Sequence, residues 1–390
     1  MLHRTKITSI VLTTLLLTTA CATAQNTAGG GAETTASPAH GGHEYQSPPP
    51  PVPLRDGERF QELTMSRPYT PKAPDGATDE YRCFMVDPGL TEAAFLTGSQ
   101  FAPQNHDMVH HAIFFRMEPA DVAAAEQLDA SEEGDGWRCF GDAGVGDAAW
   151  VAHWAPGANE VLLDDTLGYP MPPGSRLVMQ IHYNLLAADG ASGGTDQSGI
   201  RLRLSGRSLT PLNTALLTAP VELPCASGES GPLCDRAAAI ADVTKRFGAQ
   251  AGETVVHLNE GCNDGKAPAS GPTQSCVRPV KRPMTVHAVA GHMHLLGRAI
   301  TVELNAGTPR AKKLLDIPSY NFDDQAIRPL PAPVDITAGD TITVTCTHDA
   351  ALRRQLPALQ KLPPRYVVWG EGTSDEMCLG ILVVTAAADR

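Results

Sequence analysis

Residues 284–299 read MTVHAVAGHMHLLGRA, in which an apolar, strand-like run leads to two histidines two positions apart, His292 and His294, and then to LLGRA. Alternate side chains share one face of a β-strand, so His292 and His294 point to the same side and Met293 points to the other. A charged imidazole is costly inside an apolar run unless it is bound or paired. We therefore interpret the two imidazoles as half of a metal site whose other ligands come from elsewhere in the chain.

Short runs rich in Val and Thr recur along the chain and predict an all-β protein. They are closed by Pro, Gly, Asn or Asp, the residues that end strands and form turns. With 390 residues, of which 42% are hydrophobic, the chain is long enough for two domains. We expect one antiparallel sandwich over residues 63–215 and another over residues 216–390. Residues 236–249 read as a short helix, and ETVVHL at 253–258 reads as a strand.

The N-terminus resembles a bacterial export signal over residues 1–24. A short cationic region, MLHRTK, precedes an apolar run and then small residues. Two processing events remain open: lipidation of Cys21, or cleavage after Ala24. Residues 25–62 are rich in Gly, Ala, Ser and Pro, which predicts a disordered linker. We expect the protein in the periplasm or at the cell surface, in contact with the membrane only if Cys21 carries a lipid.

Charge and cysteine content narrow the function further. The net charge of −13 argues against a nucleic-acid partner, because phosphate binding needs basic patches. Of the nine cysteines, eight remain if Cys21 is lipidated or removed. An even number in an exported protein indicates disulfides, although the spacing alone does not assign the pairs.

Further histidines lie in two other apolar runs. His110 and His111 adjoin in MVHHAIFFRM, and His182 lies in RLVMQIHYNL. Neighbouring residues on a regular strand face opposite sides, so the adjacent pair can share one ion only if the backbone bulges there. A thioether beside two imidazoles is a soft site that selects copper, particularly Cu(I), over zinc. Met377, in the polar turn EGTSDEMC, is a candidate for that thioether.

Four segments, taken in order, resemble the copper type II, ascorbate-dependent monooxygenases. They are VHHAIFF, WAPGANEVLLDDTLGYPMPPGSRLVMQIHYN, GHMHLLGRA and GTSDEMC. The resemblance implies two jelly-roll-like antiparallel β-sandwiches, each with one copper site, facing each other across an open cleft. It implies that the first copper is bound by His110, His111 and His182. It implies that the second, catalytic copper is bound by His292, His294 and Met377.

The resemblance also implies supporting residues. Gln180 shares a strand face with His182 and matches a family position near the first copper. The implied disulfides are Cys346–Cys378 and Cys83–Cys139, which match family pairs. Cys225–Cys234 and Cys262–Cys276 are then expected as local closures, although the pairing of these four cysteines remains open.

The implied activity is hydroxylation of a C–H bond with O2 and a one-electron reductant such as ascorbate, on a small-molecule or peptide-like substrate. Peptide-amidating members have an Arg two residues before the His-x-His and a Tyr four residues after the Met ligand. This chain has Ala290 and Ile381 there, so we expect a small or extended apolar substrate rather than a peptide carboxylate.

Three alternatives remain open at this stage. The first is an exported copper-binding or copper-storage lipoprotein without turnover. The second is a two-sandwich surface protein whose histidines are incidental. The third is a zinc hydrolase, which three histidines would suit, although the sequence lacks HExxH and the Met ligand makes no sense there.

Overall fold

A computed structural model describes residues 49–74, 76–186 and 192–387. The predicted signal segment, Cys21 and residues 25–48 of the predicted linker lie outside the described residues. Strands predominate in the described part, and most of them pair antiparallel, which confirms the all-β class. Within the same part, no helix has the length and apolar character needed to cross a membrane.

The strands are named here in chain order. They are β1 Glu58–Thr64, β2 Asp79–Val86, β3 Ala94–Ala102, β4 Val109–Met117, β5 Trp137–Arg138, β6 Ala149–Trp154, β7 Val161–Leu162, β8 Leu167–Met171, β9 Arg176–Asn184, β10 Gly199–Ser205, β11 Thr210–Thr218, β12 Glu222–Leu223, β13 Thr273–Pro279, β14 Met284–His292, β15 Gly297–Leu304, β16 Lys312–Ile317, β17 Arg328–Ile336, β18 Thr341–His348, β19 Val367–Val368 and β20 Leu379–Ala386. The α-helices are α1 Val122–Ser131, α2 Arg236–Phe247, α3 Ala249–Cys262 and α4 Pro357–Gln360. Short 3₁₀ turns cover Pro119–Asp121, Pro232–Cys234 and Ala350–Arg354.

One long sheet runs through residues 49–387. Its strand order is β1-β10-β3-β8-β11-β20-β14-β17, with β7 attached to β3. A five-stranded sheet (β5-β2-β9-β4-β6) and a four-stranded sheet (β13-β18-β15-β16) accompany it, with a small β12-β19 pair. The neighbours in the long sheet pair antiparallel, except for a short parallel contact between β8 and β11.

Each half of the long sheet has its own hydrophobic core. In the first, side chains of β3 and β10 pack with Phe114 and Met179 of the five-stranded sheet. In the second, side chains of β14 and β20 pack with Ile300 and Val344 of the four-stranded sheet. The boundary expected near residue 215 falls inside β11, which pairs with β8 on one side and β20 on the other. The two sandwiches therefore share one sheet, and their division into separate domains stays a prediction.

Two local predictions are wrong. ETVVHL lies in the middle of α3 and not in a strand. Ala251, Val255 and Leu258 are buried at helical spacing, so the packing of one helical face prevails over the β-preference of adjacent valines. The sheet also begins before residue 63, because β1 starts at Glu58. The buried guanidinium of Arg203 needs acceptors, and it donates to the carbonyls of Val52 and Pro53, which fixes the end of the predicted linker.

Other local predictions are confirmed. The helix expected over 236–249 is α2, where the Asp235 carboxylate caps the N-terminus by accepting from the Ala238 N–H at 2.9 Å. All four disulfides are present with the implied pairing: Cys83–Cys139, Cys225–Cys234, Cys262–Cys276 and Cys346–Cys378. Disulfides persist in oxidising compartments, so these bonds support export of the protein.

Candidate metal centre

The first histidine set lies on β4 and β9 of the five-stranded sheet. His111 pairs directly with His182, whereas Val109 pairs with Tyr183, so His110 is an extra residue in the ladder. This bulge removes the geometric objection to two adjacent ligands, because it lets neighbouring side chains turn to the same side. The Nδ1 atom of His111 lies 3.2 Å from the Nδ1 atoms of both His110 and His182. One nitrogen from each ring lies within 4.8 Å of the others, a spacing that suits one shared ion.

A buried carboxylate orients this set. Asp79 accepts a hydrogen bond from Nε2 of His182 at 2.8 Å, which directs the Nδ1 lone pair of His182 toward the other two histidines. Burial alone would raise the pKa of Asp79, but hydrogen bonds from His182, Thr373 and Thr78 bring that pKa below its usual value. The carboxylate is therefore ionised at neutral pH. Tyr81 completes the support by stacking on His182, with ring centroids 4.2 Å apart.

Burial also keeps histidines of the first set in the neutral form, which is the form that binds a metal. It lowers the pKa of His111 well below the ordinary value, and the neighbouring histidines lower it further. Burial lowers the pKa of His182 as well, against the opposing effect of Asp79. Both imidazoles are therefore neutral at pH 7, and only the neutral ring offers a lone pair to an ion.

The second histidine set lies at the end of β14. The Nδ1 atom of His292 hydrogen-bonds to Oε1 of Gln325 at 2.5 Å. His294 lies just past the strand, with Nδ1 3.2 Å from the carbonyl oxygen of Asp375. Its Nε2 atom is buried and has no hydrogen-bond partner within the described residues. This is unusual for a buried polar atom and is expected of a nitrogen that binds a metal ion. Burial, followed by the charge of His294, lowers the pKa of His292 to about 3.

Met377 lies just before β20, the strand that pairs with the strand carrying His292. His292 pairs with Leu379 in the antiparallel ladder, and Met377 lies two residues before Leu379. The carboxylate of Glu376 accepts the backbone N–H groups of His294 at 2.9 Å and Leu296 at 2.5 Å. These bonds hold the segment that carries Met377 against the backbone of His294. Met377 is 7% exposed and lines the same cavity as His292.

The segment before Met377 is anchored by charge. Arg246 of α2 donates two hydrogen bonds of 2.7 Å to the two carboxylate oxygens of Asp375, and Arg365 adds a third contact at 3.2 Å. Attraction to these cations outweighs burial and lowers the pKa of Asp375. The disulfide between Cys346 and Cys378 fixes the other side of Met377. The chain on either side of Met377 is therefore held by both covalent and ionic contacts.

The two histidine sets adjoin each other. The rings of His111 and His292 have centroids 5.5 Å apart, so the open cleft expected from the sequence is narrow in this structure. A ring stack of 4.2 Å between His110 and Phe322 lies beside them. A cavity of about 250 Å³ remains, and its wall includes His111, His292 and Met377.

Segments 371–373 and 79–81 connect the two sets directly. The Thr373 hydroxyl donates to Oδ1 of Asp79 at 2.5 Å, and the Tyr81 hydroxyl donates to the Glu371 carbonyl at 2.8 Å. Asp79 therefore bonds His182 of the first set and a residue four positions before Met377. Sequence reasoning missed this link, because the run DEYRCFMV contains two further charged residues and does not mark Asp79 as buried.

Gln180 is buried beside the disulfide of the first sandwich. Its Nε2 atom donates to the Asp142 carbonyl at 2.8 Å and lies 3.4 Å from Sγ of Cys139. It also lines the cavity between the two histidine sets. Its supporting role toward the first ion stays a prediction.

The side chains at both sets fit copper. The first set offers imidazole nitrogens only, which suit copper or zinc. The polarisable thioether of Met377, which lines the same cavity as His292, favours Cu(I). Among the described residues, the Nε2 atom of His294 is buried without a hydrogen-bond partner, and the Asp79 carboxylate orients the ring of His182. Both features are expected of histidines that bind a metal ion.

Comparison with known families agrees with this chemistry. Residues 272–384 match the family model described as copper type II ascorbate-dependent monooxygenase, C-terminal domain. Over this range the chain is similar to the C-terminal domain of that family. The matched range includes His292, His294 and Met377.

Solved structures resemble the chain only weakly. Allantoicase from Saccharomyces cerevisiae is 11% identical, with 83% of this chain and 90% of that chain covered and a TM-score of 0.18. A structure of the infectious bursal disease virus Gx strain is 8% identical, with 88% and 77% covered and a TM-score of 0.21. Similarity at this level supports no argument about fold or function.

Proposed function

We propose that this protein is a copper-dependent monooxygenase that hydroxylates a C–H bond with O2 and a one-electron reductant such as ascorbate. The observation that carries the proposal is the cavity of about 250 Å³ whose wall contains His111 from one set and His292 and Met377 from the other. A storage protein needs ligands but no substrate space beside them. The family domain over residues 272–384 supports the same conclusion.

Each set would hold one copper ion. His110, His111 and His182 would bind the first, and His292, His294 and Met377 the second. Copper, when bound, supplies the one-electron redox chemistry and the activation of O2. The sets differ in softness, since only the second contains sulfur, and this difference supports different redox roles for the two sites.

The protein's own contribution is to fix the ligands. Asp79 and Gln325 each occupy one ring nitrogen, of His182 and His292 respectively, which leaves the other nitrogen to bind. The carbonyl of Asp375 does the same for His294. Only 5.5 Å separates the ring centroids of His111 and His292, a short distance for electron exchange between the sets.

The cavity wall orients substrate and excludes water. Trp150, Trp154, Leu379 and Ile381 give it an apolar surface, where a C–H bond can approach the ligands without competing hydrogen bonds. Ile381 lies on this wall at the position where amidating members have a Tyr, and Ala290 is buried in the core. Neither residue can hold a carboxylate, which supports an apolar substrate.

Turnover tests the proposal. Copper-loaded protein with ascorbate should consume O2 in proportion to a hydroxylated product from a panel of apolar compounds, monitored with an oxygen electrode and mass spectrometry. Met377→Leu is the matched variant, because it keeps the apolar volume and removes the sulfur. We expect product formation to fall with this variant. Tight copper binding combined with peroxide release alone, for every compound in the panel, would favour the storage alternative.

A further inference from the structure

A second and larger cavity adjoins the one between the histidine sets. It has a volume of about 730 Å³, against about 250 Å³ for the first. Trp150, His153 and Ile381 line both cavities. These three side chains therefore lie where the small reaction space meets the larger one.

The wall of the second cavity is mainly apolar. It includes Leu212, Ile327 and Val383, together with a Pro-rich stretch of β17. The combined volume of the two cavities lies at the upper end of the range for small-molecule sites, which bury most of their ligand against apolar walls. The space suits an extended molecule better than a compact one, because it is divided into two chambers.

Neither cavity offers a cation. No Lys or Arg is among the described residues that line them. Of the acids there, Glu160 is paired with Arg203 at 2.7 Å, and Asp142 and Asp164 are exposed to solvent rather than buried in the cavities. Burial, followed by the charge of Asp375, raises the pKa of Glu371 to about 7. A buried charge on the ligand would therefore lack a counter-ion.

We propose that the substrate is an elongated, uncharged molecule whose apolar chain occupies the second cavity while its reacting carbon lies in the first. The inference rests on the proposed function, because it takes the cavity beside His292 and Met377 as the reaction site. It goes further by assigning the second cavity to substrate recognition and by excluding both anionic and cationic chains.

Binding can be measured without turnover. Isothermal titration calorimetry on the full chain, both copper-loaded and copper-free, would use 1-decanol, decanoate and decyltrimethylammonium, which share chain length and differ in charge. We expect 1-decanol to bind at least about tenfold more tightly than either ion. Affinity should also rise from 1-butanol to 1-decanol, by about fourfold for each methylene that is buried. Tighter binding of either ion, or no gain with chain length, would overturn the inference.

A variant tests whether the chain uses the second cavity. Thr214 lines that cavity and not the first, so Thr214→Trp should occupy part of it and obstruct a bound chain. Thr214→Val is the matched control, because both variants lose the 3.0 Å contact with the Tyr169 hydroxyl and only the first adds bulk. We expect Thr214→Trp to weaken 1-decanol binding at least about tenfold and to leave 1-butanol unchanged, with Thr214→Val close to wild type.

The two proposals fail in different ways. If copper-free protein binds 1-decanol as described but no compound is hydroxylated, the proposed reaction is wrong and the cavity assignment stands. If hydroxylation occurs on short or charged compounds and Thr214→Trp retains full 1-decanol affinity, the reaction stands and the cavity assignment is wrong.

Discussion

Replacing Asp79 by Asn should weaken copper binding at the first histidine set. The substitution keeps the size and shape of the side chain but removes the charge that stabilises the Nε2–H form of His182. The Asp79 Oδ1 atom accepts from Nε2 of His182 at 2.8 Å and from the Thr373 hydroxyl at 2.5 Å, and the side chain is fully buried. Loss of an oriented carboxylate partner behind a metal-binding histidine typically costs 10- to 100-fold in metal affinity, or about 1.4–2.7 kcal/mol.

The assay is competitive titration of Cu(I) against a chromophoric chelator at pH 7, for wild type, Asp79→Asn and Asp316→Asn. Asp316 is a suitable control, because it is an exposed acid paired with Lys313 on the surface. We expect Asp79→Asn to weaken one of two binding events and to leave the other unchanged, with wild-type behaviour for the control. Unchanged affinity at both sites would refute the role given to Asp79, as would equal weakening of both.

Three further predictions concern the second set. Arg246→Met leaves the buried Asp375 carboxylate with Arg365 as its cationic partner and the Gly372 N–H as a neutral donor. The free energy of unfolding in urea should therefore fall by about 3 kcal/mol, the low end for a broken buried pair. Replacing both Cys346 and Cys378 by Ala removes their disulfide and should lower the free energy of unfolding by about 2–5 kcal/mol. It should also weaken copper binding at the site that contains Met377. Copper affinity equal to that of wild type would show that the bond does not position the thioether. The folded-state pKa of His292 is about 3, below its ordinary value of about 6.5, so the unfolded state binds more protons between these values. Metal-free protein should therefore lose stability as the pH falls below about 6.5, and His292→Gln should show a shallower loss in pH-dependent thermal melts.

Local patterns in the sequence predict much of the fold. The runs around residues 284–292 and 176–184 alternate or remain apolar over strand length, and both are strands. The resemblance to a family implied two of the disulfides, Cys346–Cys378 and Cys83–Cys139, whereas the pairing of the other four cysteines stayed open until the structure showed it. The helix at 236–247 was predictable because Asp235 caps it and Gly248 follows its last residue.

Contacts between distant segments were not predictable in this way. The bulge at His110 depends on the register of β4 against β9, which no local pattern encodes. The bond between Thr373 and Asp79 joins residues 294 positions apart and requires both sandwiches to be folded. ETVVHL was misread because its valines favour a strand locally, whereas burial of one face against the second core makes it a helix.

Copper content with and without the Met377 thioether tests the central claim most directly. We expect copper-loaded wild type to contain about two ions per chain, and Met377→Ala to remain folded with about one ion, because two imidazoles alone hold Cu(I) less well. X-ray absorption of the Cu(I) form should show a sulfur neighbour in wild type that is absent from the variant. Equal copper content and identical spectra for the two proteins would contradict the assignment of His292, His294 and Met377 as one site.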